Sequence, residues 1–89
     1  MNEVWKYKIV GLKCEIAMPK SAKVLSVQTQ NCEPHIWALV DPNEETKERV
    51  FYVFGTGFPC PRPASEYVGT FQLNDGDFVL HLFEEGRSV

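Results

Sequence analysis

The chain lacks the features that would place it in a membrane or outside the cell. No apolar run approaches the roughly 20 residues that a helix needs to cross a bilayer, so no transmembrane segment is predicted. The opening residues, MNEVWKYKIVGLK, mix charged and aromatic side chains and contain no apolar stretch typical of a secretory signal. The three cysteines form no Cys-x-x-Cys pair, which favours reduced thiols. We therefore expect a cytoplasmic protein without membrane association.

Clusters of basic residues and metal-ligand spacings are missing as well. Nine lysine and arginine residues are spread along a chain of net charge -3, so general nucleic-acid binding is not expected. The cysteines and the two histidines include no pair at the spacing of a zinc knuckle. We therefore expect neither a metal site nor another cofactor.

No set of residues identifies a reaction. Cys60 lies between Pro59 and Pro61, which have no backbone N–H, so its loop offers few donors for an oxyanion hole. The carboxylate pairs Glu44-Glu45 and Glu84-Glu85 are adjacent in sequence, and adjacent side chains of a strand point to opposite faces. We expect a protein that is not an enzyme, and a small cysteine-dependent enzyme built on Cys60 and a histidine is an alternative.

The dominant pattern that is present has a period of two, which is typical of half-buried strands. The length of 89 residues fits a single domain covering residues 1–89. We predict a mainly β fold, a small antiparallel β-sandwich or partly open barrel of about six to seven strands. At most one or two short helical turns are expected, over Asp41–Lys47 and Ala64–Tyr67. The predicted strands are Trp5–Ile9, Lys13–Met18, Ala22–Gln30, His35–Asp41, Lys47–Phe54, Tyr67–Gln72 and Phe78–Glu84.

Pairing the third and fourth predicted strands as a hairpin assigns their side chains to two faces. Asn31-Cys32 stands where such hairpins often have Asn-Gly, so a longer loop than a primed two-residue turn is predicted. The core face would carry Leu25, Val27, Ile36, Ala38 and Val40. The opposite face would carry Val24, Ser26, Gln28, Gln30, His35, Trp37 and Leu39.

This second face is the first candidate for binding. Trp37 offers a flat apolar ring, Gln28 offers an amide that donates and accepts hydrogen bonds, and His35 lies beside them. Alternatively, Trp37 is covered by a neighbouring strand and the face is a second small core. The residue types favour neither interpretation over the other.

The stretch GTGFPCPRP is the second candidate. Its glycines permit a sharp reversal after a strand, and its three prolines favour a stiff, extended path. Phe58 and Arg62 lie on that path, and a rigid loop loses little conformational freedom on binding. The alternative is a corner between two sheets that is plugged by Phe58.

The last predicted strand, Phe78–Glu84, has apolar residues on both faces. Such a strand is either central and covered on both sides, or part of an interface between copies of the chain. We expect a homo-oligomer, a dimer or larger.

Three segments resemble a family of small proteins of unknown function from tailed bacteriophages and prophages. They are MPKSAKVLSVQTQNCEPHIWALVDP, the following VFGTG with a proline after it, and EYVGTFQLNDGDFVLHLFEE. The resemblance implies a phage-encoded accessory protein that acts inside the bacterial cell, and it assigns no catalytic residue.

Together these features favour a non-enzymatic binding protein that engages a host protein or a small nucleotide-like ligand. Countering host defence, by blocking a defence protein or sequestering a signal, is one purpose that fits. The residues expected to bind are Gln28, His35 and Trp37 from the sheet, and Phe58 and Arg62 from the loop. A structural or morphogenetic phage protein is the main alternative.

Overall fold

Seven strands form in the computed structural model, which describes residues 1–59 and 65–86. They confirm the prediction of a mainly β fold. No helix in the described residues is long and apolar enough to cross a membrane. The strands are β1 (Glu3–Lys8), β2 (Lys13–Pro19), β3 (Lys23–Gln30), β4 (Glu33–Val40), β5 (Thr46–Gly55), β6 (Glu66–Leu73) and β7 (Phe78–Glu84).

The helical turns lie elsewhere than predicted. Asp41 begins a tight turn, in which its backbone carbonyl accepts from the Glu44 N–H and its carboxylate accepts from the Asn43 N–H, and β5 starts at Thr46. Ala64 lies outside the described residues, and the rest of the second predicted turn runs into β6. A short 3-10 turn instead spans Asn74–Gly76, inside the hairpin that joins β6 to β7.

The strands form two antiparallel sheets that pack face to face. A three-stranded sheet has the order β1-β4-β3, and a four-stranded sheet has the order β2-β5-β7-β6. β7 is therefore a central strand, as its apolar pattern allowed. Apolar side chains alternate along the strands, so each sheet turns one face toward the other. The buried core consists of Ile9, Cys14, Ile16, Met18, Ala22, Val27, Ile36, Ala38, Val40, Phe51, Val53, Phe71 and Leu82.

A close seam between β3 and β6 joins the two sheets along one side. A Cβ atom added at Gly69 would lie 2.5 Å from Cγ1 of Val27, so only glycine fits without displacing that valine. The Thr29 hydroxyl donates a hydrogen bond of 2.6 Å to the Gln72 carbonyl across the same seam. The missing side chain at Gly69 thus allows the sheets to approach each other.

One residue predicted to lie in the core does not. Leu25 is 49% exposed, whereas Val24 packs against the core instead. The register of β3 against β4 shifts between Val24 and Ser26, which is a β-bulge with one extra residue. Because side chains alternate with a period of two, an extra residue reverses the faces on one side of the bulge.

The turn between β3 and β4 is also shorter than predicted. Gln30 pairs directly with Glu33, which leaves only Asn31 and Cys32 in the loop. Both have positive φ, 52° and 65°, the geometry of a primed two-residue turn. Asparagine adopts this conformation readily, whereas Cys32 occupies a position that favours glycine.

A buried ion pair lies in the sandwich interior. The Arg49 guanidinium donates from Nη2 to Oε1 of Glu84 at 2.7 Å and from Nε to Oε2 at 2.5 Å, and both residues are buried. A further N–H of Arg49 donates to the Ala22 carbonyl. The paired charges therefore fix β5, β7 and the start of β3 relative to one another.

Tyr7 is the one described residue with a buried side-chain polar atom that has no hydrogen-bond partner. Burial raises the pKa of its hydroxyl above the usual 10.0, because the charged phenolate would lose its hydration, and the nearby Arg49 charge acts in the opposite direction. The unpartnered hydroxyl therefore lowers the stability of the folded protein.

Candidate functional site

Three of the predicted binding residues come together on the outer face of the three-stranded sheet. Gln28 on β3 lies directly opposite His35 on β4. The rings of His35 and Trp37 lie two positions apart on β4, with centroids separated by 5.8 Å and planes tilted by 57°. These placements agree with the face that the strand alternation predicted.

Strand β1 adds two lysines to this face, which sequence reasoning did not find. Lys6 lies opposite Trp37 and Lys8 lies opposite His35. The signal was present in the alternation of β1, but it gave no indication that β1 pairs with β4. This surface is called the lysine–tryptophan face, and its outward residues are Val4, Lys6, Lys8, Lys23, Leu25, Ser26, Gln28, Gln30, Glu33, His35, Trp37 and Leu39.

The two central lysines have different partners. Lys6 Nζ donates a hydrogen bond of 2.8 Å to the amide oxygen of Gln30, which carries no charge. Lys8 Nζ lies 3.1 Å from the carboxylate of Glu33, in an exposed ion pair. Surface pairs of this kind contribute about 0–1 kcal/mol. The charge of Lys6 is consequently uncompensated, whereas that of Lys8 is partly neutralised.

His35 is buried although it lies on an outer face, with only 9% of its surface exposed. The hydrogen bond from Lys6 to Gln30 crosses β4 between Glu33 and Trp37, which is the level of His35. Nδ1 of His35 lies 3.0 Å from the Glu33 carbonyl oxygen, and since a carbonyl only accepts, Nδ1 carries the hydrogen. His35 is therefore a buried residue of the face, and its ring orientation is held by this hydrogen bond.

The lysine–tryptophan face is positively charged on an acidic protein. It contains three lysines and one glutamate, a net charge of +2, whereas the whole chain has a net charge of -3. Trp37 is half-buried beside Lys6, so part of its ring is accessible next to a positive charge. The arrangement can attract an anion and offer a flat ring to an apolar or aromatic group.

Phe58 lies apart from this set. Its side chain is 72% exposed and lines an apolar cleft of about 500 Å³ with Leu12, Phe54 and Leu80. A Cβ added at Gly55 would lie 2.8 Å from the Phe58 ring, so the ring rests on that glycine. The predicted site is thus divided between two sheets, and Arg62 and Cys60 lie outside the described residues.

The outer face of the four-stranded sheet carries a row of aromatic rings. Phe83 contacts Phe54 and Tyr67 edge to face, with centroid distances of 5.7 and 5.6 Å, and Tyr52 stacks on Phe54 at 6.3 Å. Tyr67 is 60% exposed, whereas Tyr52 is buried. These four residues, Tyr52, Phe54, Tyr67 and Phe83, are called the aromatic face.

A chain of hydrogen bonds beside the aromatic face centres on His81, which sequence reasoning did not select. Nε2 of His81 lies 2.8 Å from the Thr56 hydroxyl, and Nδ1 lies 3.0 Å from the Thr70 hydroxyl. Thr56 also contacts the Val79 carbonyl at 3.1 Å, and Tyr67 contacts Thr70 at 2.6 Å. Since the carbonyl only accepts, Thr56 donates to it and accepts from Nε2. Both ring nitrogens are thereby occupied in positioning side chains.

Thiols and metal ligands give no further candidate in the part of the chain that the structure describes. Cys14 is buried in the core, and Cys32 is exposed in the β3–β4 turn. Within residues 1–59 and 65–86, no three side chains of histidine, cysteine, aspartate or glutamate gather as metal ligands.

Comparison with known proteins places the chain in a family. The model of the family described as Domain of unknown function (DUF7352) matches residues 1–89, and the chain belongs to this family. No curated protein and no solved structure matches the chain. The family assigns no role to any residue, so the interpretation of the two faces depends on their geometry and charge.

Proposed function

We propose that the protein is a non-enzymatic binding protein whose binding surface is the lysine–tryptophan face. The observation that carries this proposal is the juxtaposition of Trp37, Gln28 and Lys6 on one positively charged sheet face. Strand pairing fixes the backbone positions of these residues before a partner arrives, so binding does not have to order the backbone.

The proposed biological setting depends on the resemblance of the sequence motifs. Their resemblance to proteins of tailed phages supports a phage-encoded protein that acts in the cytoplasm of the bacterial host. Its partner is then a host defence protein or a small nucleotide-like signal, and binding would remove that partner from the host response. Neither purpose requires chemistry at the bound molecule.

The first test is to capture a partner from bacteria that are infected with the phage or that express this protein. Native mass spectrometry of the purified protein, before and after denaturing desolvation, reports a small ligand as extra mass, and affinity purification reports a protein. We expect Trp37→Ala to lose the partner while the circular dichroism spectrum is kept. Tyr67→Ala is the matched control, since it removes an exposed aromatic side chain from the other sheet. If a folded Trp37→Ala variant keeps the partner, the assignment of the binding surface is wrong.

Self-assembly is a second candidate function, and the aromatic face favours it. Phe54 and Phe83 are half-buried and Tyr67 is exposed, so apolar rings remain accessible on a broad sheet surface. Homodimers commonly cover such surfaces through a two-fold axis. A morphogenetic role predicts that the protein is found in purified virions. Its absence from virions together with a monomeric mass in solution would exclude this candidate.

A further inference from the structure

We infer that the lysine–tryptophan face binds a single small nucleotide, with the base against Trp37 and a phosphate group on Lys6. This inference depends on the proposed function, because it names the ligand of the same face. Four properties of the face support it: its charge, the spacing of its groups, the polar side chains beside Trp37 and the number of its aromatic rings.

The charge selects an anionic ligand. Lys6 is held by a neutral amide, so one of the three N–H donors of its ammonium is used and its charge is unopposed. Lys8 lies two positions along β1, about 7 Å away at the usual rise of a strand, and adds a second cation that Glu33 partly offsets. A group with more than one negative charge, such as a phosphate, can contact both lysines.

The spacing suits a ligand in which an anionic group and a flat ring are joined. The backbone of Lys6 lies opposite Trp37, but its side chain reaches past His35 toward Gln30, so the ammonium lies roughly 7 Å along β4 from the position of Trp37. In a nucleotide the ring and the first phosphate are joined through one sugar, a span of this order. The base would stack on the accessible part of Trp37, as bases do on aromatic side chains of other sheet surfaces.

Polar side chains next to Trp37 can recognise the edge of the base. Ser26 lies directly opposite Trp37, and Gln28 lies two positions further along the same strand. The Gln28 amide both donates and accepts, and Ser26 does the same through its hydroxyl. These two side chains would therefore determine which base is preferred.

The face has room for one base rather than for a strand of nucleic acid. Trp37 is the single aromatic ring other than the buried His35 among its outward residues. Proteins that bind single strands stack successive bases on successive rings and follow the phosphates with a basic groove. Three lysines on a chain of net charge -3 do not supply such a groove.

The test is calorimetric titration of the full chain with individual nucleotides. The probes are the four ribonucleoside triphosphates, cyclic di-AMP and cyclic di-GMP, with adenosine and inorganic triphosphate as half-ligands. We expect at least one nucleotide to bind more tightly than about 1 mM, and each half-ligand to bind more weakly than the whole. Binding should weaken with added salt, because exposed lysines contact the phosphate.

Matched variants test the phosphate contact at Lys6 and the base contact at Trp37 separately. Lys6→Ala should weaken binding about tenfold, as loss of one hydrogen bond to a charged group does, and Lys6→Arg should largely restore it. Lys13→Ala is the control, because Lys13 lies opposite Tyr52 on the outer face of the other sheet. Trp37→Ala should remove binding of the base, whereas Tyr67→Ala should leave it unchanged. Amide NMR spectra of each variant confirm that the fold is kept.

Several results would overturn the inference. They are no binding by any of the six nucleotides, equal loss in Lys6→Ala and Lys13→Ala, and binding only to oligonucleotides with an affinity that rises with their length. If no nucleotide binds but Trp37→Ala still loses a protein captured from cells, the inference fails and the proposed function stands. If nucleotides bind and no variant of the lysine–tryptophan face changes their affinity, the binding surface itself is wrong.

Discussion

The two outer faces of the sandwich follow the same alternation of side chains and present opposite chemistry. The lysine–tryptophan face has one accessible ring, amides and a net positive charge. The aromatic face has four rings in contact with one another, and its hydrogen-bonding groups are directed to each other around His81. The first face has donors available for a solute, whereas the second mainly offers apolar surface to another protein surface. We expect the two faces to respond independently to substitution.

The largest effect should come from the buried ion pair between β5 and β7, because its Arg49 also bonds the start of β3 in the other sheet. Glu84→Ala leaves the Arg49 guanidinium buried without its carboxylate, and we expect a loss of about 3–5 kcal/mol in the free energy of unfolding. Urea unfolding followed by fluorescence measures it. Glu48→Ala, which removes an exposed carboxylate next to Arg49 in sequence, should cost under about 0.5 kcal/mol.

The double variant Arg49→Met/Glu84→Leu sharpens this test. It replaces the pair by apolar side chains of similar size, so it should recover most of the stability lost in Glu84→Ala. A double variant as unstable as the single one would show that the bond from Arg49 to the Ala22 carbonyl, rather than the ion pair, is what stabilises the fold.

The seam that joins the sheets should give the next largest effect. Gly69→Ala places a methyl group against Val27, and we expect a loss of about 1–3 kcal/mol, as for overpacked cores. The same substitution in a Val27→Ala background should cost much less, because the clashing Cγ1 is gone. Equal costs in both backgrounds, measured in a double-mutant cycle, would contradict the steric explanation.

Whether the two faces act independently is tested by measuring both ligand binding and self-association in a variant of each face. Trp37→Ala should weaken ligand or partner binding by about 2 kcal/mol or more and leave the subunit number unchanged, because it removes a central anchor of one surface. Phe83→Ala should lower any self-association, because its ring contacts Phe54 and Tyr67 in the aromatic face. It should leave ligand affinity unchanged, because it lies on the other sheet. Calorimetry and light scattering on the same preparations measure both. A loss of both properties in either variant would show that the faces are coupled.

The smallest effect concerns Tyr7 and includes a pH dependence. Tyr7→Phe removes a buried hydroxyl without a partner, and we expect a gain of about 1 kcal/mol. Because folding raises the pKa of Tyr7, the stabilising effect of its protonated form is complete below pH 10.0 and is lost as the pH rises toward the folded pKa. The alkaline decrease in stability should therefore be smaller in Tyr7→Phe.

Tyr52→Phe is the matched control for that experiment. The Tyr52 hydroxyl donates to the Glu85 carboxylate at 3.0 Å, so its removal should destabilise the protein. If Tyr7→Phe were as destabilising as Tyr52→Phe, the Tyr7 hydroxyl would be making a favourable interaction.

The sequence predicted what depends on local pattern, and missed what depends on long-range pairing. Alternation located all seven strands and placed Gln28, His35 and Trp37 on one face. It could not show that β1 lies next to β4, so Lys6 and Lys8 were not recognised as part of that face.

Two further errors concern single positions in β3 and in the turn that follows it. The bulge at Leu25 inserts one residue into β3, so Leu25 lies on the face opposite to the one predicted. No residue type in the strand indicates a bulge at this position. Cys32 adopts positive φ although it is not glycine, because the pairing of Gln30 with Glu33 leaves only two residues to reverse the chain. In both places strand pairing determines a backbone conformation against local preference.

Nucleotide binding at the lysine–tryptophan face is tested most directly by amide NMR of the labelled protein, titrated with the nucleotide that binds most tightly. We predict that shift changes are confined to β1, β3 and β4 and are largest near Lys6 and Trp37. Changes centred on β5, β6 and β7, or no changes with any nucleotide of the panel, would contradict the account.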